Sequence, residues 1–182
     1  MTPYPPAEAE TAPAIDVLVE SPLWDALPDA EGIVRRAIAF AADEDVMMHH
    51  RGGELSVLLC DDAAIADLNA RWRGQSRPTN VLSFPAPPLV RRGASDGAPP
   101  MTPLMAPIGD IAIAYETVAR EAVEQGKAVA DHLAHLAVHG FLHLLGYDHT
   151  VEAEAERMER LERDILGRIG VADPYASRDA EI

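Results

Sequence analysis

The sequence has 182 residues, enough for one folded domain with its own hydrophobic core. Its net charge of −15, from 30 acidic and 15 basic residues, argues against a nonspecific nucleic-acid binder, which usually carries a basic surface. The single cysteine, the absence of a signal peptide and the lack of an apolar run near the ~20 residues that span a bilayer favour a cytoplasmic protein with no membrane partner.

Hydrophobic spacing predicts four strands and five helices. In chain order these are a strand at 15–20, a helix at 29–43, a strand at 54–60, a helix at 61–73, strands at 80–84 and 110–114, and helices at 115–125, 129–145 and 151–169. Asp29 and Thr150 are expected to cap the first and last helices, and Asp61 to open the second helix. This order predicts an α+β fold, with a small sheet of about four strands packed against about five helices.

One domain accounts for nearly the whole chain. Residues 1–13 are rich in Pro, Ala and Glu, which is typical of a disordered lead. Residues 14–176 are predicted to form a single catalytic domain, followed by a tail at 177–182. Within the domain, the segment 86–107 holds six prolines and two glycines without periodicity, so we predict a long loop there.

Three histidines near the C-terminal end predict a metal site. His139 and His143 are four residues apart and would project from adjacent turns of one helix face. Gly146 can end the helix and turn the chain back, which would bring His149 to the same point. Three protein ligands leave one coordination position open, as in catalytic zinc sites. We therefore predict one zinc ion, or another first-row divalent metal, in a zincin-like site.

The remaining histidines are assigned other roles. His135 lies on the same stripe as the predicted ligands, about one helical turn before His139, and is expected to support or pack against them. His132 is expected on the helix surface, and His49-His50 on a loop surface. Asp148, between two ligands, is expected to orient a histidine.

The histidine spacing matches the metzincin proteases, whose motif is H-E-x-x-H-x-x-G-x-x-H. In that motif the Glu after the first histidine is the general base for peptide hydrolysis. Here this position is Gly140, which has no side chain to take a proton. A metalloprotease is therefore disfavoured, and no other general base is evident in the sequence.

A basic segment offers groups that could bind phosphate. Arg71, Arg73 and Arg77 are the bases nearest the predicted site in this segment, and residues 71–92 contain no acid. A phosphodiester substrate needs positive charge beside its transition state. The sequence alone leaves open which of the three arginines supplies it.

With these residues identified, the chain resembles the YbeY family of bacterial metal-dependent endoribonucleases. The matching blocks are HLAVHGFLHLLGYDH at 135–149, LNARWRGQSRPTNVLSFP at 68–85, IGDIAI at 108–113 and the tail at 154–175. The resemblance implies a mixed, mostly parallel sheet, zinc at the three histidines, and cleavage of single-stranded RNA rather than DNA. It also implies action in small-subunit rRNA 3′-end maturation and ribosome quality control, with the small ribosomal subunit as partner. It selects Arg73 as the functional arginine.

Two positions depart from the family pattern. Asn80 stands where the family usually has Asp, and the segment 86–107 is longer than the usual connection. A rival hypothesis from another class is a ribosome-assembly factor that binds RNA or protein and uses zinc only for structure. The count of three ligands disfavours it, because structural zinc normally has four.

Overall fold

The computed structural model describes residues 12–42, 53–87 and 107–176. Four strands are present, β1 (Ala14–Val19), β2 (Glu54–Cys60), β3 (Val81–Pro85) and β4 (Pro107–Ala114). Five α-helices accompany them: α1 (Ala30–Ala41), α2 (Asp62–Arg73), α3 (Tyr115–Glu124), α4 (Val129–Leu144) and α5 (Glu152–Arg168). The predicted α+β fold is confirmed.

The strands form one mixed sheet in the order β1-β2-β4-β3. The first three strands are parallel, and β3 adds to β4 as an antiparallel edge strand. Side chains alternate between the two faces of the sheet. Leu55, Val57 and Leu59 of β2 join the larger core cluster, whereas Cys60 joins the smaller one.

Helices cover both faces of the sheet. The larger core cluster lies between the sheet and helices α1 and α4, with α5 packed against both helices. The smaller cluster lies under α2, whose Ile65 is fully buried against the sheet. Helices α4 and α2 therefore lie on opposite faces. Burial raises the pKa of the Cys60 thiol to about 12, as expected for a cysteine that serves only packing.

Local differences from the predictions have physical reasons. Asp61, expected as the first residue of the second helix, instead caps α2 and accepts a hydrogen bond from the backbone N–H of Ala64. Asp29 precedes α1 but makes no side-chain cap, because its carboxylate pairs with Arg36 at 2.9 Å. A 3-10 helix over Pro22–Ala26 was not predicted; it begins after Ser21, whose hydroxyl accepts from the N–H of Leu23.

Several predicted features lie outside the described residues. These are residues 1–11 of the predicted lead, His49-His50, residues 88–106 of the Pro-rich segment and the tail at 177–182. Within the described ranges, no helix is both long enough and apolar enough to cross a membrane.

Candidate metal centre

Helix α4 carries an apolar face and a histidine stripe. Its apolar face is fully buried through residues such as Leu133, Ala137 and Phe141. The stripe holds, in order, His132, His135, His139 and His143. Consecutive ring centroids along it are 6.1, 6.1 and 4.5 Å apart. The spacing of three or four residues thus brings the imidazoles into one continuous row.

The chain turns back sharply after α4. Gly146 has a φ of +88°, a conformation that glycine adopts without steric cost. The backbone N–H of Tyr147 then donates to the carbonyl of Leu142, which closes the turn. As a result, the ring of His149 lies 5.8 Å from that of His139 and 5.1 Å from that of His143. The predicted glycine turn is confirmed.

The nitrogens of the three histidines converge. Nε2 of His139 and Nε2 of His143 are 3.1 Å apart, and ligand atoms of all three residues lie within 4.8 Å of one another. Two nitrogens held tetrahedrally at ~2.0–2.1 Å from one zinc ion are separated by roughly 3.4 Å. His139 and His143 are half-buried and His149 is exposed, so the cluster opens to solvent. This arrangement fits a single divalent metal.

Hydrogen bonds on the far side of two rings select the tautomer that each ring has when it is neutral. Nδ1 of His143 donates to the carbonyl oxygen of Tyr147 at 2.9 Å, because a carbonyl can only accept. Nδ1 of His139 donates to Oε1 of Glu162 at 2.7 Å. In the neutral rings both Nε2 atoms therefore carry lone pairs that face each other. A cation between them would replace this repulsion with two coordination bonds.

His143 has the charge state that a metal ligand requires. Burial lowers the pKa of His143, and the neighbouring His139 and His149 lower it further, whereas the hydrogen bond to Tyr147 acts in the opposite direction. The ring is therefore neutral at pH 7. A neutral imidazole is the form that binds metals.

Glu162 of α5 lies behind the predicted ligands, and the histidine motif does not contain it. Its buried carboxylate accepts from His139 and from the Tyr175 hydroxyl, and lies 3.3 Å from Nε2 of His135. Burial alone raises the pKa of Glu162, but the hydrogen bonds from His135 and His139 outweigh it and hold the pKa at about 2. A carboxylate in this position orients the imidazole and makes it a stronger ligand.

A sequence signal for Glu162 existed. Met158, Glu162 and Ile165 recur at helical spacing, and all three are buried in α5. A glutamate on the apolar stripe of a helix requires a buried partner, because an unpaired buried charge is very costly. That signal shows the need for a partner but does not identify which residue provides it.

Asp148 contacts the backbone of the ligand loop. Its Oδ1 accepts from the backbone N–H of His149 at 2.7 Å, and this hydrogen bond is the main cause of a lowered pKa for Asp148. Asp148 thus positions His149 through the main chain. The hydroxyl of Thr150 also bonds Asp148, so the prediction that Thr150 caps α5 is wrong. Val151 takes the cap position without a side-chain bond.

His132 corrects another prediction. It was expected on the surface, yet only 3% of it is exposed. Its Nε2 lies 2.8 Å from Oε2 of Glu121, and the same oxygen accepts from the side-chain amide of Asn80 at 2.9 Å. Burial lowers the pKa of His132 despite the bond to Glu121. The prediction failed because α3 packs over this end of α4, which the helical period does not reveal.

His135 packs edge-on against the ring of His139, but its Nε2 faces Glu162. His135, His139 and Glu162 form a second group whose potential ligand atoms lie within 4.8 Å of one another. We favour the first group as the metal site, because Glu162 is already bonded to several donors and His139 turns its Nε2 toward His143. Among residues 12–42, 53–87 and 107–176, no fourth protein ligand joins the three histidines. One coordination position would stay open.

Gly140 marks a close approach of α4 to the sheet. A Cβ atom at this position would lie 3.1 Å from both Ile111 and the hydroxyl oxygen of Ser83. That hydroxyl donates to the carbonyl of Gly140 at 3.0 Å. A metzincin-type glutamate would have to displace these groups, so the absence of that general base is built into the packing.

Arg73 lies in the last turn of α2 and is exposed. The neighbouring Trp72 contacts Phe84 near the end of β3, with ring centroids 5.9 Å apart. Next to Phe84, Pro85 pairs with Gly109, against which the side chain of Leu144 lies. Arg73 and the histidines are therefore at the same end of the edge strand, on opposite faces of the sheet. Within the described parts of the chain, Arg73 forms no ion pair.

Comparison with known proteins identifies relatives that match most of the chain. The family model described as Endoribonuclease YbeY matches residues 25–170, a span that includes Arg73 and the three histidines. An Endoribonuclease YbeY of Rhodopseudomonas palustris strain BisB18 is 54% identical over 171 residues, covering 92% of this chain and 95% of its own. One from Bradyrhizobium sp. strain BTAi1 is 52% identical over 168 residues, with 92% and 95% covered. The solution structure of TM1509 from Thermotoga maritima covers 88% of this chain and 97% of its own, at 25% identity and a TM-score of 0.44.

Proposed function

Because this chain belongs to the Endoribonuclease YbeY family and is a metal-dependent endoribonuclease, we propose that it uses one zinc ion to cut single-stranded RNA. The proposal extends to a role in small-subunit rRNA 3′-end maturation and ribosome quality control, carried out in the cytoplasm. Its partners are then rRNA and the small ribosomal subunit.

The convergence of the two facing Nε2 atoms with His149 is the observation that carries the proposal. A divalent metal bound there supplies Lewis acidity, which activates water and polarises a phosphate oxygen. Three imidazoles with an open position are typical of catalytic zinc, although imidazole also binds other first-row metals. His139, His143 and His149 would bind the metal, while Glu162 and the Tyr147 carbonyl orient the rings of His139 and His143, and Asp148 holds the backbone of His149.

Arg73 is proposed to bind the phosphate of the RNA and to neutralise the charge that develops during cleavage. A guanidinium is permanently charged and matches the geometry of phosphate oxygens in a bidentate contact. Its exposed position at the same end of β3 as the histidines supports this role.

The test combines metal analysis with cleavage of a single-stranded RNA. We expect His139→Ala to lose both the metal and the activity. Arg73→Ala should keep the metal but cleave about 10²–10³-fold more slowly, as when one group that stabilises transition-state charge is removed. Undiminished cleavage by a metal-free variant would overturn the proposed mechanism. Wild-type activity in Arg73→Ala would remove only the role of Arg73.

The rRNA role and the structural-zinc alternative need separate experiments. Precursor small-subunit rRNA should be cut near its mature 3′ end in preference to an unrelated RNA of equal length. For the metal, the cobalt-substituted protein should change its absorption spectrum when anions are added, because a fourth position is open. An unchanged spectrum would favour a closed structural site.

A further inference from the structure

Trp72 is a large aromatic residue in an unusual position. It lies in the last turn of α2, and 71% of it is exposed, whereas the other tryptophan, Trp24, is buried. Among the described residues, one aromatic ring packs against it: that of Phe84, which lies 5.9 Å away with an interplanar angle of 57°. Trp72 is thus held against the sheet while most of its surface faces solvent. Its packing against Phe84 alone does not explain a tryptophan there.

The charges around Trp72 differ from those of the rest of the chain. Arg71 and Arg73 flank it, and Arg77 follows in the next loop; all three are exposed. No acid occurs between residues 71 and 92, although the whole chain has a net charge of −15. In the described parts of the chain, none of these three arginines is paired with a carboxylate. The exposed ring therefore lies among three arginines that form no ion pair in the described residues, with Asp67 one helical turn before Arg71 and Asp110 paired with Phe84 as the nearby acids.

Neighbouring residues of the edge strand connect Trp72 to the helix that carries the histidines. Phe84 pairs with Asp110 and Pro85 with Gly109, and the Leu144 side chain of the histidine helix lies against Gly109. A chain of nucleotides that passed over the edge of β3 could contact both faces of the sheet. Its phosphates would meet the arginines and its bases would meet the indole.

We propose that Trp72 is a stacking platform for an unpaired base of the RNA substrate, with Arg71 and Arg77 binding the adjacent phosphates. This rests on the proposed function, because it requires single-stranded RNA at the metal centre. Single-strand binding proteins combine these two elements, an aromatic face that accepts any base and a basic surface that follows the backbone. The combination explains how an acidic protein holds RNA without a basic surface overall.

Binding to an oligonucleotide and to its abasic analogue separates stacking from charge. We would measure fluorescence anisotropy of a short single-stranded RNA on the full-length chain without metal, where it is not cut. We expect Trp72→Ala to weaken binding about 5- to 150-fold, the range for loss of one stacked base. Trp72→Phe, which keeps an aromatic face, should recover most of that loss. Both variants should bind the abasic analogue as the unsubstituted chain does.

Two controls complete the test. Phe40→Ala removes another exposed aromatic residue, on α1, that contacts Arg168, and it should leave RNA binding unchanged. Arg77→Ala should lower the slope of log affinity against log salt by about 0.7, the value for one phosphate contact on a single strand.

With metal present, Trp72→Ala should raise KM while kcat changes little, because a remote stacked base contributes binding.

The outcomes distinguish this proposal from the proposed function. If the unsubstituted chain cuts RNA and Trp72→Ala binds it equally well, the platform is wrong and the nuclease assignment stands. If Trp72→Ala lowers the free energy of unfolding but not RNA affinity, the indole serves only to pack against Phe84, which also overturns the proposal. If the unsubstituted chain neither binds nor cuts RNA, the proposed function itself fails.

Discussion

The two halves of α4 each carry a pair of histidines at helical spacing, three residues apart in the first half and four in the second, but the pairs have different roles. In the first half, His132 and His135 each face a carboxylate, from Glu121 and Glu162 respectively. In the second half, His139 and His143 turn Nε2 toward each other, and the ring of His149 completes the group. A histidine stripe alone therefore does not identify a metal site.

The group that opposes each ring decides its role. The Nε2 atoms of His132 and His135 face a carboxylate and are not presented to the three-histidine group, although Nδ1 of each ring is buried without a hydrogen-bond partner among the described residues. An imidazole whose Nδ1 is already bonded and whose Nε2 faces another Nε2 is left with an unfavourable contact that a cation removes. His139 joins the two halves, since its Nδ1 meets Glu162 and its Nε2 meets His143.

The largest expected effect is the contrast between two single variants, each of which removes one histidine ring from a different half of α4. His143→Ala removes a ligand and should lower zinc affinity by more than the 10–100-fold typical of residues behind ligands. The unfolding free energy of its metal-free form should change little. His132→Ala should keep zinc affinity and lower stability by about 1–3 kcal/mol, because Glu121 loses a buried partner.

Competition with a zinc chelator and urea unfolding of the metal-free proteins would measure these two quantities. Equal losses of zinc affinity in the two variants would contradict the division of α4 into two halves. A zinc affinity unchanged by His143→Ala would move the metal to the group of His135, His139 and Glu162.

Glu162→Gln tests the residue that contacts both halves of α4, through His135 and His139. Its effect on zinc affinity should be intermediate. The amide keeps the size of the side chain but not its charge, so zinc affinity should fall about 10–100-fold. Glu156→Gln, which alters an exposed ion pair on the same helix, is the matched control and should leave zinc affinity unchanged.

Glu162 also makes the metal-free protein sensitive to acid. Its pKa is about 2 in the folded protein against an ordinary value of 4.5. Its stabilisation is therefore complete above pH 4.5 and is lost as the pH falls toward 2. At 1.36 kcal/mol per pKa unit, this amounts to at most about 3 kcal/mol. Urea unfolding between pH 6 and 3 should show that the difference in unfolding free energy between the unsubstituted chain and Glu162→Gln becomes smaller as the pH falls. A constant difference would refute the role of the Glu162 charge.

The sequence allowed prediction of interactions within short stretches. The metal motif spans eleven residues of one helix and the turn after it, so helical geometry and one glycine suffice to bring its ligands together. The strands and helices followed from the alternation and spacing of apolar residues, and the family resemblance selected Arg73.

The missed features depend on packing between distant elements. Glu162 is 23 residues from His139 and meets it only because α5 packs against α4. His132 is buried because α3 covers it, and Asp29 makes an ion pair with Arg36 in place of a cap. A single sequence does not show which helices will touch, so it cannot predict which carboxylate opposes which ring.

Asn80→Asp should have the smallest effect on stability. The effect should be confined to the surroundings of the first half of α4, because Asn80 contacts Glu121, the partner of His132. The Asn80 amide donates to Glu121, while its oxygen accepts from the N–H of Val81 at 2.7 Å. An aspartate keeps the second bond but places two carboxylates about 3 Å apart, which raises the pKa of the pair. The folded variant then binds a proton more readily than the unfolded one. We expect a loss of about 1–2 kcal/mol at pH 8 that shrinks as the pH falls, with no change in zinc affinity.

The double variant Asn80→Asp/Glu121→Gln shows whether this loss comes from the carboxylate pair. The amide introduced on α3 would donate to the carboxylate introduced before β3, which exchanges donor and acceptor between the two positions and removes the repulsion. Stability at pH 8 should return most of the way toward that of the unsubstituted chain, a coupling that a double-mutant cycle measures directly. Additive losses would mean that Asn80 acts through Val81 alone. A fall in zinc affinity in Asn80→Asp would show that the two halves of α4 are coupled through the helix, contrary to the separation proposed for them.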